Sequence, residues 1–175
     1  MSALSTSLTI YTDGSSLGNP GPGGWGALLL DGEKPSSRVV ELGGYEANTT
    51  NNKMELQALI SALEYLSESG TTDHDITVFA DSKYVLHGLT DWINGWERKG
   101  WRKADGKPVL NQELWRPLVD LKRFLETDNK LFFEHVKAHA GHTYNERVDD
   151  IARGFATDKT FDLYDGAYCD YDVSK

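Results

Sequence analysis

The sequence contains very little cysteine and no long apolar run. Cys169 is the only cysteine among 175 residues, which excludes an intrachain disulfide framework and a cysteine-based zinc site. No stretch approaches the roughly 18 consecutive apolar residues that a membrane-spanning helix needs. The first residues have neither the basic nor the apolar segment of a signal peptide. We therefore expect a cytoplasmic protein, monomeric and without a membrane partner.

Positive charge is also scarce. The chain has 18 lysines and arginines against 27 aspartates and glutamates, a formal net charge of -9. This balance argues against nucleic-acid binding by the whole surface. The charges are segregated, however, because residues 92–109 are mostly basic and residues 158–172 mostly acidic. We therefore predict one domain over residues 1–157 with a local basic patch, followed by an acidic tail over residues 158–175.

Hydrophobic periodicity predicts alternating strands and helices. Short apolar runs predict five strands, near residues 6–13, 25–30, 37–45, 75–81 and 130–136. Amphipathic patterns predict helices near residues 52–69, 82–90, 111–126 and 144–156. The glycine-rich segment 18–24 is typical of a turn, and Asn52 has the spacing of an N-cap to Glu55. This order indicates an α/β (mixed α+β) fold, in which helices cover a mixed sheet.

Two aspartates terminate apolar runs that are predicted to be strands. Asp13 ends the first of these strands and Asp81 ends the fourth. If the two strands are parallel neighbours, their carboxyl ends lie side by side, where such sheets bind ligands. Each aspartate alone is also typical of a turn or an N-cap. Several carboxylates at one sheet edge would provide the oxygen ligands that hard divalent cations need.

Two further acidic residues lie on predicted helices. Glu55 falls on the same stripe as Leu59 and Ala62, and a glutamate on a buried face is unusual. The alternative is that Glu55 complements the helix dipole near the N-terminus. Asp149 borders the apolar face of the last helix, whereas Asp150 faces solvent. A solvated acidic face is the alternative there, but the phasing favours Asp149 as the functional member of the pair.

Seven blocks of this sequence, taken together, resemble bacterial type 1 ribonuclease H. The first blocks are YTDGS at residues 11–15 and the glycine-rich segment 18–24; the others lie at residues 49–56, 81–85, 96–101, 136–142 and 145–149. Each block alone is a weak signal, but all of them occur in the family's order with similar spacing. The resemblance implies a ribonuclease H-like fold, with a five-stranded mixed sheet and helices on both faces.

The resemblance also implies an activity and a set of catalytic residues. The family hydrolyses the RNA strand of RNA–DNA hybrids with Mg²⁺ or Mn²⁺, by a two-metal-ion mechanism that leaves 5′-phosphate and 3′-hydroxyl ends. By motif position, the family's four metal-binding carboxylates fall on Asp13, Glu55, Asp81 and Asp149. The family's mobile-loop histidine, placed near the scissile phosphate, falls on His139.

Candidate substrate contacts form two groups. Short polar and basic side chains near the catalytic strands suit an RNA minor groove and a phosphate pocket, where Thr50 matches the family's pocket threonine. Residues 92–107 resemble the family's basic protrusion, whose cations neutralise phosphates and whose tryptophans pack on sugars or brace the helix. The candidates are Asn19, Thr50, Asn51, Asn52, Ser82, Lys83, Trp92, Trp96, Arg98, Lys99, Trp101 and Arg102. The polar residues are also typical of turns and caps, and two of the tryptophans are expected in the core.

Three other functions remain open at this stage. A non-catalytic hybrid-binding module on the same fold would not need all four carboxylates and His139. A nucleotide-binding protein could use Gly18–Gly24 as a phosphate cradle, but no Gly-Lys-Ser/Thr follows that turn. A related polynucleotidyl transferase or exonuclease would share the fold, because fold alone does not determine the substrate.

Overall fold

The computed structural model of the protein describes residues 6–137 and 141–175. The strands are β1 (Thr6–Ser16), β2 (Gly21–Leu30), β3 (Arg38–Thr49), β4 (His74–Ala80), β5 (Lys130–His135) and β6 (Asp165–Ala167). The helices are α1 (Asn51–Glu68), α2 (Lys83–His87), α3 (Ile93–Arg98), α4 (Gln112–Glu126) and α5 (Thr143–Asp158). One π-helical turn, Gly88–Trp92, joins α2 to α3.

A single mixed sheet has the strand order β5-β4-β1-β2-β3-β6. The first three strands form the expected antiparallel meander, and β4 lies parallel to both β1 and β5. The helix α1 crosses from β3 to β4, so β1 and β4 become parallel neighbours. The strand pairing on which the predicted metal site depends is therefore present.

The glycine-rich segment differs from its prediction. The sequence predicts a turn over residues 18–24, but β2 already begins at Gly21. The glycines extend the strand by pairing with β3, and packing requires glycine at position 24, because a β-carbon there would overlap the α5 backbone at Ala152 and Ala156. At Gly26 a β-carbon would lie 2.8 Å from the carbonyl oxygen of Val148. These glycines let α5 pack close to the sheet, which brings the residues of that helix near β1.

The two faces of the sheet are covered unequally. Alternate residues of β2 point to opposite faces, so Ala27 and Leu29 join the larger core, whereas Leu28 and Leu30 join the smaller one. The helices α1 and α4 pack in the larger core, where Trp115 is completely buried. On the other face, α5 shares the smaller core with tyrosines of the C-terminal tail: Tyr164, Tyr168 and Tyr171.

The sheet has six strands, whereas the sequence predicts five. The extra strand, β6, lies in the acidic tail and pairs antiparallel with β3, through Val39 opposite Gly166 and two adjacent pairs. Without it, β3 would leave backbone groups unpaired at the sheet edge, which proteins tend to cover. The acidic composition of the tail hides this short strand. A domain boundary at residue 157 stays a prediction, although β6 joins the tail to the sheet.

A buried ion pair connects the tail to both β3 and α5. Glu41 accepts two hydrogen bonds from the Arg147 guanidinium, at 2.6 and 2.8 Å, and both side chains are buried. The Tyr171 hydroxyl donates to the same carboxylate at 2.6 Å, and the Tyr164 amide does so at 3.0 Å. Burial alone would raise the pKa of Glu41, but the bonds from Arg147 and Tyr171 outweigh it and hold that pKa below its usual value.

A search for membrane-spanning segments found no suitable helix. Within residues 6–137 and 141–175, none is both long and apolar enough to cross a bilayer.

We predict that the Tyr171 hydroxyl contributes measurably to stability. Tyr171→Phe removes one of the two hydrogen bonds to Oε1 of the buried Glu41 and leaves only the bond from Arg147 Nε there. We expect the free energy of unfolding to fall by about 1–2 kcal/mol, because hydrogen bonds to charged groups are stronger than neutral ones. Urea denaturation monitored by circular dichroism measures this loss.

Tyr168→Phe is the matched control. Among the described residues, the Tyr168 hydroxyl shares a hydrogen bond with the neutral Tyr144 hydroxyl, at 3.2 Å. Its removal is expected to cost less than about 1 kcal/mol. Equal losses for the two variants would contradict a special role for the bond to Glu41.

Candidate active site

Two of the predicted carboxylates lie on neighbouring parallel strands. Thr12 of β1 is paired with Ala80 of β4, so Asp13 and Asp81 come next on adjacent strands. Asp81 follows the last residue of β4, as expected. Asp13 lies inside β1, which continues to Ser16 through its pairing with β2. The apolar run ends at Asp13, but the strand continues for three more residues, so the prediction that the strand ends at Asp13 is wrong.

Glu55 reaches the same place because α1 packs closely on β1. A β-carbon on Gly14 would overlap the backbone of Met54 and Glu55, so only glycine permits this contact. Glu55 is 4% exposed, which confirms its prediction on the buried stripe of α1. The N-cap of that helix is Thr50, whose hydroxyl accepts from the Lys53 amide at 3.4 Å. The predicted N-cap at Asn52 is therefore wrong.

The three carboxylates form a compact cluster. One oxygen from each of Asp13, Glu55 and Asp81 lies within 4.8 Å of the others. Asp13 accepts a hydrogen bond from the Gly14 amide at 2.8 Å. The Oε2 atom of Glu55 is buried and has no hydrogen-bond partner among the residues that the structure describes. A buried acceptor without a donor is costly, and a bound cation would relieve that cost.

The pKa values of the cluster reflect its crowding. Burial, followed by the charge of Asp81, raises the pKa of Asp13 to about 7. Burial, followed by the charges of Asp13 and Asp81, raises the pKa of Glu55 well above its ordinary value. Near neutral pH the ion-free cluster therefore retains protons that a metal ion would displace. A divalent cation bound by these oxygens would relieve the repulsion among the three carboxylates.

Asp149 lies near this cluster but outside the group of three. Its side chain is 20% exposed against 57% for Asp150, which confirms that Asp149 borders the core and Asp150 faces solvent. Its charge contributes to the raised pKa of Asp13, so the two groups interact electrostatically. In the structure its Oδ2 atom is 2.7 Å from Nη2 of Arg153, one helical turn later.

The predicted polar substrate contacts are either exposed or cap a helix. Asn19 is exposed between β1 and β2, and Asn51 and Asn52 are exposed in the first turn of α1. Thr50 caps α1, and Ser82 caps α2 by accepting from the Val85 amide at 3.2 Å. Lys83 is exposed at the start of α2. His139 lies outside the residues that the structure describes, so its role stays a prediction.

The predicted basic protrusion contains a groove. Trp101 is buried and Trp96 packs on the core, as expected for two of the tryptophans, whereas Trp92 is 39% exposed. A groove of about 290 Å³ runs between residues 91 and 104. Its lining residues include Trp92, Trp96, Lys99, Arg102 and Lys103. Arg98 is exposed on the last turn of α3.

Sequence reasoning missed the partners of two arginines of α5, of which Arg153 contacts Asp149. Arg147 is one helical turn before Ile151, so the apolar phase of α5 contained a signal that it was buried. Its partner Glu41 lies between Val40 and Leu42 in β3, and nothing local indicates the pairing. Arg153 is spaced four residues from Asp149, a spacing that permits an ion pair on a helix.

Comparisons with known proteins agree with this geometry. The RNase H family model matches residues 5–157. A ribonuclease H from Bradyrhizobium diazoefficiens is 52% identical over 147 residues, which are 83% of this chain and 87% of that protein. The curated relatives therefore match this chain over most of their own length.

Solved structures give the same result. The crystal structure of LC9-RNase H1, described as a type 1 RNase H with the type 2 active-site motif, has a TM-score of 0.79 at 28% identity, covering 96% of this chain and 81% of that one. LC11-RNase H1, solved in complex with an RNA/DNA hybrid, has a TM-score of 0.64 at 31% identity, covering 87% of this chain and 97% of that one. With its acidic cluster at the edge of β1 and β4, this chain belongs to the ribonuclease H family and is a nuclease.

Proposed function

We propose that this protein is an endoribonuclease that hydrolyses the RNA strand of RNA–DNA hybrids. The observation that carries the proposal is the cluster of Asp13, Glu55 and Asp81, with ligand oxygens within 4.8 Å of one another and a buried Glu55 oxygen that no described residue hydrogen-bonds. The hybrid bound to the related LC11-RNase H1 supports the choice of substrate.

The donor set fits divalent metal ions. Carboxylate oxygens are the ligands that Mg²⁺ prefers, and Mn²⁺ accepts the same set. Asp13, Glu55, Asp81 and Asp149 would hold two such ions when the hybrid is bound, with Asp13 as the best candidate for a shared ligand. Bound ions supply charge neutralisation and Lewis-acid activation for phosphodiester hydrolysis. The products would carry 5′-phosphate and 3′-hydroxyl ends.

The residues around the cluster would position the two strands. Asn19, Asn51, Asn52, Ser82 and Lys83 offer short polar or basic groups beside the carboxylates, which suits 2′-hydroxyls in the RNA minor groove. Thr50 would contact a phosphate of the DNA strand. His139, placed by the resemblance near the scissile phosphate, would assist proton transfer or product release.

The basic protrusion would follow the backbone of the hybrid. Arg98, Lys99 and Arg102 are exposed there, and Trp92 offers a partly exposed ring next to them. Trp96 braces the protrusion through ring contacts with Trp101 and with the buried Trp115. Glu97 is engaged by Arg123 at 2.7 and 2.8 Å, so its charge is partly neutralised within the protein.

We predict that Asp13→Asn abolishes activity and stabilises the ion-free protein. Turnover should fall by at least about 100-fold, because a metal ligand is lost. The pKa of Asp13 is raised to about 7 in the fold, so its contribution to stability is present at acid pH and is lost as pH rises through 7. At pH 8 the amide removes this penalty and should raise the free energy of unfolding by up to about 4 kcal/mol.

Hydrolysis of a labelled hybrid and urea denaturation at pH 5 and pH 8 measure these effects. Asp120→Asn, an exposed position on α4, is the matched control and should change neither quantity. Near-native turnover by Asp13→Asn would overturn the assignment of Asp13. Equal stabilisation at both pH values would contradict the proposed origin of the effect.

We predict that metal binding releases protons. The ion must displace the proton that Asp13 retains below about pH 7. The affinity for Mg²⁺ should therefore fall as pH decreases below 7, by up to about tenfold per pH unit for each displaced proton, and Glu55 adds to this dependence because its pKa is also raised. Calorimetric titrations in buffers with different ionisation enthalpies count the released protons. A constant affinity between pH 5.5 and pH 8 would contradict this prediction.

We predict that Lys99→Ala weakens binding of the hybrid without slowing hydrolysis at saturation. Loss of one phosphate contact should raise KM, leave kcat nearly unchanged and reduce the salt dependence of binding by about one counterion. Fluorescence anisotropy across a range of salt concentrations measures the slope. Lys34→Ala removes an exposed lysine from the β2–β3 loop and is the control. An unchanged salt slope for Lys99→Ala would remove this residue from the interface.

A further inference from the structure

Arg153 is the cation that contacts the fourth predicted carboxylate. Its Nη2 atom is 2.7 Å from Oδ2 of Asp149 and 3.0 Å from Oδ1 of Asp150. The guanidinium is 57% exposed, and so is Asp150, whereas Asp149 is largely covered. Arg153 therefore lies between a carboxylate at the active site and one in solvent.

This arrangement separates Asp149 from the other three carboxylates. Asp13, Glu55 and Asp81 already bring one oxygen each within 4.8 Å of the others, and Asp149 is not in that group. The charge of Asp149 nevertheless raises the pKa of Asp13, so the gap is short enough for electrostatic interaction. Asp149, which lies outside the cluster, has an arginine partner at 2.7 Å.

A guanidinium and a divalent cation make opposing demands on one carboxylate. Each attracts the negative charge of Asp149, and the two cations repel each other at short distance. An exposed ion pair is weak, so a metal ion is able to displace it. Asp150 offers the displaced guanidinium a second carboxylate, which lowers the cost of the exchange.

We infer that Arg153 is a positioning residue that competes with metal ions for Asp149. In the ion-free protein, Arg153 holds Asp149 at the border of the cluster. When the site is loaded, the guanidinium moves towards Asp150 and releases Asp149. This inference rests on the proposed function, because it assumes that the carboxylate cluster binds divalent ions.

A metal titration without substrate tests the competition. Binding of Mn²⁺ to the ion-free protein is measured by electron paramagnetic resonance and, for Mg²⁺, by calorimetry. Arg153→Gln should tighten binding by at least about threefold, because both the competing ion pair with Asp149 and a nearby positive charge are lost. Asp150→Asn should act in the opposite direction, because Arg153 then keeps only Asp149 as its partner.

Two controls separate the competition from a general charge effect. Arg38→Gln removes an equally exposed arginine from an ion pair with Asp165, at the start of β3, and should change metal affinity by less than about 1.5-fold. In an Asp149→Asn background, Arg153→Gln should produce less than half of its effect in the native protein. Such a double-mutant cycle isolates the coupling between the two side chains.

The outcomes distinguish this inference from the proposed function. If the native protein binds Mn²⁺ and Arg153→Gln leaves the affinity unchanged or weakens it, the competition is wrong while the metal site stands. An equal effect of Arg153→Gln with and without Asp149 would also overturn the competition. If the native protein binds neither ion, the proposed function fails, and the inference fails with it.

Discussion

Mutual repulsion among buried carboxylates is the constraint around which the active site is built. Asp13, Glu55 and Asp81 are brought together by the parallel pairing of β1 and β4 and by the close contact of α1 at Gly14. The ion-free fold bears this cost by retaining protons, since the pKa values of Asp13 and Glu55 are raised. Perturbed pKa values of this kind are characteristic of functional sites, and the cluster is compatible with divalent metal binding.

Two kinds of contact hold α5 on the face of the sheet opposite to α1 and α4. Glycines of β2 allow that helix to pack closely, and the buried Glu41–Arg147 pair ties it to β3. Breaking one partner of such a pair leaves an uncompensated buried charge, so the pair resists change even though its net contribution is small. The tail adds Tyr171 and the Tyr164 amide to the same carboxylate. The position of α5, and with it that of Asp149, thus depends on contacts with β3 and the tail, which are distant in sequence from the active-site residues of β1 and β4.

Charge segregation reconciles an acidic protein with a polyanionic substrate. The net charge of -9 is spread over the chain, whereas the basic residues of the protrusion surround one groove beside Trp92. Arg123 of α4 engages Glu97 of that protrusion, whereas Arg98, Lys99 and Arg102 are exposed. Metal ions at the carboxylate cluster would add positive charge where the scissile phosphate must lie. Binding would therefore rely on local fields and not on the overall charge.

Local periodicity determined the predicted helices and five of the strands, and it placed Glu55 on a buried face and Asp149 at the border of another. These assignments succeed because the 3.6-residue and two-residue periods are properties of neighbouring residues. Tertiary structure decided what periodicity cannot encode: β2 begins at Gly21 through its pairing with β3, and part of the acidic tail becomes β6 by pairing with the other edge of β3. The pairings of Glu41 with Arg147 and of Asp13 with Asp81 join residues far apart in the chain, so only the packed fold could bring them into contact.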